Sequence, residues 1–330
     1  MKKKVGVFSL LLMSMGLFSS SFAQEVSMDT YPDKTLTMLV GYGPGGGNDT
    51  MAREMIKNLN QNNIVDQKIL VENLPGASGV NAFIKTYKEP KNNYQLLVVV
   101  DMGLPLANGA MDVEISEFKP IAQVESGTLV LMVSKDSPYN TVEEFLIDLK
   151  EDPSQFIIGS AGSMTSSEPY RWYTIIEAIN DGVAVDIDEL NIVPQDGTAS
   201  SISGVLGGHL DVILTNPGSA VDHVSSGNAK VLAVLSEERL EAFPDAPTLK
   251  EAGLDIVHRR ARGFWMGGEV ADEVVTYWEE KFKEASQTAY WQEYTEKGMS
   301  SNEFLDTKKY LDFLEKENKK FKQYIQSLED

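Results

Sequence analysis

Cysteine is absent from the 330 residues, which excludes disulfides, thiolate metal sites and cysteine nucleophiles together. Histidine is nearly absent: His209, His223 and His258 lie 14 and 35 residues apart, without metal-ligand spacing, and each fits a surface or capping role better than a catalytic one. Basic residues are also in short supply. Against 29 Lys and Arg stand 49 Asp and Glu, a formal net charge of −20, so nucleic acid and anionic lipid would repel the chain as a whole. There is no G-x-S-x-G elbow, no H-E-x-x-H and no Gly-Lys-Ser/Thr phosphate loop. These absences predict a protein that is not an enzyme and needs neither metal nor cofactor.

Long apolar runs are missing except at the start. Lys2, Lys3 and Lys4 precede the apolar stretch Val5 to Phe18, and Ser21-Phe22-Ala23 offers small residues before Gln24. That order is the pattern of a cleaved secretory signal over residues 1–23. An uncleaved anchor needs about 20 apolar residues, whereas this run is shorter and broken by Ser9, Ser14 and Gly16. Cleavage removes three lysines and no acids, taking the charge from −20 to −23. With no lipobox cysteine, the expected product is a soluble periplasmic protein, a compartment not expected to supply nucleotide cofactors.

What the sequence does contain is a repeated alternation of strand, polar turn and helix. Thr35 to Tyr42 is β-rich, and Ala52, Met55, Ile56 and Leu59 then mark one helical face over Asp49 to Asn60. Lys68 to Val71, a helix carrying Val80, Phe83, Ile84 and Tyr87, and the apolar run Leu96 to Val100 complete a βαβαβ unit. Beyond the apolar stretch Ile121 to Val133, the capping box Thr141-x-x-Glu144 opens a helix. Strands over Phe156 to Ile158, Leu190 to Val193, Asp211 to Thr215 and Lys230 to Leu235 alternate with helices over Glu168 to Ala178 and Thr198 to Leu206. Amphipathic helices fill the C-terminal stretch. The pattern predicts an α/β fold with parallel or mixed sheets, whose ligands sit outside the carboxyl ends of strands.

Four turns occupy such ends. The first, Gly41-Tyr42-Gly43-Pro44-Gly45-Gly46-Gly47-Asn48-Asp49-Thr50, lets N–H groups converge at a helix N-terminus and suits an anion. Gly41-x-Gly43-x-x-Gly46 also matches a dinucleotide fingerprint, with Glu72 as its acid, but Pro44 lacks an N–H and Asp49 would repel a pyrophosphate. A plain Gly-rich turn capped by Asn48 or Asp49 is compatible with anion binding. Next comes Gly159-Ser160-Ala161-Gly162-Ser163-Met164-Thr165-Ser166-Ser167, dense in hydroxyls; the others are Pro194-Gln195-Asp196-Gly197-Thr198 and Thr215-Asn216-Pro217-Gly218. Among cations, Arg171 and the cluster Arg259, Arg260, Arg262 stand out in so acidic a chain, with pairing to Glu168 the plain account of Arg171.

Ordered blocks along the chain resemble the periplasmic substrate-binding proteins of tripartite tricarboxylate transporters, the Bug proteins. They are Tyr31-Pro32-x-Lys34, Pro44-Gly45-Gly46-Gly47-x-Asp49-x-x-Ala52-Arg53, and Val71-Glu72-Asn73-x-Pro75-Gly76-Ala77-x-Gly79. Gly159-Ser160-x-Gly162, Leu206-Gly207-Gly208-x-x-Asp211, Val231-Leu232-Ala233-Val234 and Pro247-Thr248-x-x-Glu251-Ala252-Gly253 follow. Ser236-Glu237-Glu238-Arg239 and Arg262-Gly263 are similar to a citrate-associated branch, although Ala261 replaces an aromatic.

The resemblance implies a two-domain flytrap of the type II-like periplasmic-binding-protein kind with a cleft between its domains. Residues 24–125 with 248–330 would form domain 1, and residues 126–247 domain 2. It also implies a monomer that binds a small di- or tricarboxylate, citrate-like in size, and serves one large and one small membrane subunit. Carried over, a proximal carboxylate grip, partly through backbone N–H groups and bridging waters, falls on Tyr42, Gly45, Gly46, Gly47, Asn48, Asp49 and Thr50. Distal contacts fall on Ser160, Gly162, Ser163, Ser166, Gln195, Gly197, Thr198 and Asn216, with Arg171 and Arg262 as candidate cations. An exported α/β enzyme acting on a carboxylate, or a sensor subunit presenting its ligand to a membrane kinase, is the alternative.

Overall fold

Strand β3 (Gln95–Val100) is buried at all its positions, as a strand covered on both faces must be. Its odd and even side chains enter different cores. Leu97 and Val99 join Leu39 of β1 (Leu36–Val40) in one cluster, while Leu96 and Val98 join Met38 and Val40 in another. The computed structural model describes residues 26–101, 111, 113–161, 167–181, 190–195 and 197–327. The expected signal segment, residues 1–23, and the candidate contacts Gly162, Ser163 and Ser166 lie outside the described residues.

Two mixed sheets organise the chain. The first runs β11-β4-β10-β3-β1-β2, adding β2 (Ile69–Asn73), β4 (Phe118–Gly127), β10 (Arg260–Gly267) and β11 (Ser300–Ser301). Strands β2, β1 and β3 are parallel, and β10 lies antiparallel between β3 and β4. Helices α1 (Gly47–Gln61) and α2 (Val80–Lys88) provide the crossovers, one on each face, as the βαβαβ reading anticipates. The second sheet runs β7-β6-β8-β5-β9: β5 (Val130–Ser134), β6 (Ile158–Ala161), β7 (Ile192–Gln195), β8 (Val212–Thr215) and β9 (Ala229–Val234). Here β5 is antiparallel to both its neighbours. Helices α3 (Val142–Glu151), α4 (Ser167–Ile179), α5 (Thr198–Leu206) and α6 (Pro217–Ser225) belong to this part.

The chain passes from the first sheet to the second between β4 and β5, and returns between β9 and β10. Helices α7 (Asp272–Ser286), α8 (Ala289–Lys297) and α9 (Thr307–Ser327) follow. Trp278, Phe282 and Trp291 of α7 and α8 cover one face of the first sheet. Helix α9 reaches both parts: the Tyr310 hydroxyl accepts from Trp265 Nε1 of β10 at 3.2 Å, while Phe321 and Tyr324 pack on Tyr170 of α4 with ring centroids 5.2 and 5.4 Å away. One continuous apolar cluster therefore extends from the first sheet through α9 to the second.

Several elements depart from the sequence expectations. Strand β10 and helix α6 have no counterpart there, because Arg260-Ala261-Arg262-Gly263 breaks the apolar pattern of a central strand and α6 begins inside a turn signal, Asn216-Pro217-Gly218. Asn216 is its N-cap, with Oδ1 accepting from Ser219 N at 2.9 Å, and Pro217 occupies the first helical position. The Thr141-x-x-Glu144 capping box forms as predicted at α3.

Candidate functional site

The loop after β1 sets one wall of the site. Gly45 has φ +78°, a conformation suited to glycine, and turns the chain into α1. Asn48 and Asp49, expected as N-caps, instead sit inside the first turn, and Gly46 is the cap. The correction has a physical cause: Asp49 reaches backwards, its Oδ2 accepting from Gly45 N at 2.9 Å. Arg53 binds the same carboxylate through Nε and Nη2, and Asn73 Nδ2 donates to Oδ1, each at 2.9 Å. The Arg53 hydrogen bonds, helped by Gly45 and Asn73 against the opposing effect of burial, pull the Asp49 carboxyl down to about 2. Asp49 is thus the brace of the loop.

A second brace comes from β10. Arg262 donates from Nη1 to Glu125 Oε1 at 2.6 Å and from Nε to Asn48 Oδ1 at 3.1 Å. Its Nη2 lies so near Gly47 that a Cβ there would stand 3.1 Å away. Glycine at position 47 therefore lets the guanidinium lie against the helix start.

Between the two sheets lies a cavity of about 1000 Å³. Gly45, Gly46, Gly47 and Thr50 line it from the loop before α1 and the first turn of that helix, and Glu125, Arg260, Arg262 and Tyr294 from the strands and α8 beside it. Gly197, Thr198, Ser200 and Ser203 of α5, with Asn216, Gly218 and Ser219 of α6, line it from the second sheet. Three helix N-termini therefore meet at one cavity. Each brings roughly half a positive charge, and those of α1 and α5 carry no side-chain cap, whereas Asn216 caps α6, so the arrangement favours an anion although the chain is strongly acidic.

The expected residues divide accordingly. Gly45, Gly46, Gly47, Thr50, Gly197, Thr198, Asn216 and Arg262 line the cavity. Tyr42, Asn48, Asp49, Ser160, Arg171 and Gln195 are not among its lining. Tyr42 packs on Gly79, and burial together with the Asp101 charge pushes its phenol up to about 12. Gln195 Oε1 accepts from Ser200 Oγ at 3.0 Å and so positions a lining residue. Ser160 is fully buried, and its hydroxyl has no partner among the described residues.

Arg171 is a buried tie and not a surface cation. Nη2 donates to Asp101 Oδ1 and Nη1 to Ser167 Oγ, both at 2.9 Å, while Ser167 Oγ donates to Asp101 Oδ2 at 2.9 Å. Burial would raise the Asp101 carboxyl, but Arg171, Arg260 and Ser167 outweigh it and hold the group below its usual range. This pair joins the end of β3 to α4, hence the first sheet to the second part. His258, expected in a surface or capping role, is partly buried. Its Nε2 lies 2.8 Å from Thr174 Oγ1, and burial, with the Arg171 charge nearby, pushes the ring down to about 3.

Sequence reasoning missed Glu125, Tyr294 and the serines of α5 and α6, and singled out Arg260 without assigning it to the site. Glu125 carried a usable signal, an acid inside the apolar stretch Ile121 to Val133, which must find a partner when buried.

The model of the tripartite tricarboxylate transporter family receptor, TctC, matches residues 51–329. The chain belongs to this family. Protein BugT of Bordetella pertussis is 28% identical to this TctC-family chain over 252 residues, 74% of each chain. A TctC solute-binding protein from Polaromonas, solved without ligand, shares 25% identity and a TM-score of 0.72, over 91% of this chain and 100% of that one. MatC of Rhodopseudomonas palustris, solved with bound malate, has the same fold, with 19% identity, a TM-score of 0.74, and coverage of 89% of this chain and 100% of that one. Among the described residues of this TctC-family receptor, no helix is long and apolar enough to cross a membrane.

Proposed function

We propose that this receptor captures a small organic carboxylate, with two or three carboxyl groups, in the cavity between its sheets and presents it to the membrane subunits of a tripartite transporter. The observation that carries the reading is the meeting of three helix N-termini, those of α1, α5 and α6, at that cavity. A carboxylate there replaces water on the N–H groups at the starts of α1 and α5, which carry no side-chain cap, and the low dielectric of a closed site strengthens each contact. Family membership and a fold neighbour that holds malate support the same ligand class.

In this reading the proximal carboxylate rests on Gly45 to Thr50, while Gly197, Thr198 and Asn216 meet the distal end. Residues 24–125 with 248–330 then close against residues 126–247 by bending at the two connections between the sheets. Closure matters because the membrane subunits must distinguish loaded from empty receptor, which requires the ligand to favour the closed state. Export through cleavage after Ala23 places the protein in the periplasm.

A thermal-shift screen of the mature chain against di- and tricarboxylates, monocarboxylates, sugars and polyamines tests the class. A carboxylate at about 1,000 times its Kd raises stability by about 4 kcal/mol. A shift with a neutral or cationic solute, and with no carboxylate, overturns the proposal.

A further inference from the structure

The cavity contains one arginine that is held by hydrogen bonds and one that is not. Arg262 is held by Glu125 and Asn48, as described. Arg260, two residues before it on β10, makes no hydrogen bond among the described residues: its Nε is buried without a hydrogen-bond partner and forms only a longer ion pair, 3.7 Å, with Asp101 Oδ2. Asp101 is already engaged by Arg171 and Ser167. Glu125 shows the complementary deficit. Its Oε1 is taken by Arg262, but Oε2 is buried with no partner among the described residues, on a side chain only 3% exposed.

Strand register places these two deficits together. Arg262 pairs with Glu125 and Arg260 with Gly127 across β10 and β4, so Arg260 and Glu125 are diagonal neighbours on one face of the sheet. Such neighbours have Cα atoms about 7–8 Å apart, the scale of a small ligand. The residue directly opposite Arg260 on β4 is a glycine, so that strand sets no side chain against the guanidinium. Both Arg260 and Glu125 line the cavity, with Arg262, Asp222, His223 and Tyr294 the other titratable groups that do so.

We propose that the cavity selects carboxylates that also carry a hydrogen-bond donor, a hydroxyl or an ammonium, close to a carboxyl group: Arg260 takes that carboxylate and Glu125 Oε2 accepts from the donor. The inference rests on the carboxylate reading above and narrows it. A ligand without the donor leaves a buried carboxylate oxygen unpaired, and sites built to bind a hydroxyl or amine discriminate strongly against analogues that lack it.

Calorimetry on the mature chain tests this with a matched set: succinate, malate and aspartate, four-carbon dicarboxylates that differ in carrying hydrogen, hydroxyl or ammonium at one carbon. If the thermal-shift screen selects another chain length, its parent acid and 2-hydroxy and 2-amino derivatives replace them. The expected result is that malate, aspartate or both bind about tenfold or more tightly than succinate. R260Q weakens all members by about tenfold or more, and R260K recovers part of the loss. E125Q, which keeps an acceptor but removes the charge, erases any preference for the amine over the hydroxyl. Because E125Q also disturbs Arg262, the wild-type series and R260Q decide the matter without it. Succinate binding as tightly as both derivatives overturns the role of Glu125, and unchanged affinities in a folded R260Q overturn that of Arg260, with the carboxylate reading intact in either case. Failure of wild type to bind any carboxylate overturns that reading and this inference with it.

Discussion

On the first-sheet side of the cavity, the lining is held from behind: Asp49 ties Gly45 to Arg53 and Asn73, and Arg262 ties Glu125 to Asn48. On the second-sheet side the lining is made of short hydroxyl side chains and helix starts, with Asn216 spending its Oδ1 on its own helix and Ser200 resting on Gln195. The first wall is braced by charged pairs; the second, apart from Asp222 and His223 of α6, is built from neutral groups satisfied within their own helices or turns. The contrast teaches where rigidity is needed. A backbone cradle for a carboxylate must be pre-formed, since N–H groups that have to rearrange lose their advantage over water, whereas a wall of hydroxyls can rotate its donors to suit.

The largest effect expected from breaking this contrast is at Arg262. Arg262→Ala leaves Glu125 buried without its cation, and loss of one partner from a buried pair costs about 3–5 kcal/mol; urea unfolding measures it. A loss below about 1 kcal/mol would mean that the first wall is not braced by this pair. Asp49→Asn comes next, with a loss of about 2 kcal/mol at neutral pH from its charged hydrogen bonds. The sign with pH follows from the depressed carboxyl: about 2 in the fold against its ordinary 3.8. The wild-type advantage is complete above about pH 4 and fades as the pH falls towards 2. A difference between wild type and variant that stays constant down to pH 2 contradicts the assignment. The smallest effects belong to the second wall. Asn216→Ala removes a helix cap worth about 1 kcal/mol, and Ser203→Ala stays within about 0.5 kcal/mol. Equal losses at Ser203 and Asp49 would erase the distinction between the walls.

Legibility in the sequence followed the range of the interactions. Helix α5 was predictable to its end residues, and the α3 capping box to its atoms, because both depend on residues three or four apart. Strand β10 was not, because the partners that accommodate its arginines are Glu125, Asn48 and Asp101, at least 130 residues away. At the site, the glycine loop announced itself through conformational need, and so did the polar turns. Arg171 was singled out, with Glu168 as its plain partner in sequence, while the carboxylate it binds, Asp101, is 70 residues distant.

The amino-acid sequence alone determined the alternation of strands and helices, the lack of cysteine, and the anion-suited loop after β1, since local spacing and residue chemistry suffice for these. Tertiary structure decided which cations are tied by hydrogen bonds and which by a longer ion pair alone. Charge is compensated through space, and only the antiparallel insertion of β10 between β3 and β4 brings Arg262 onto Glu125 while leaving Arg260 opposite a glycine.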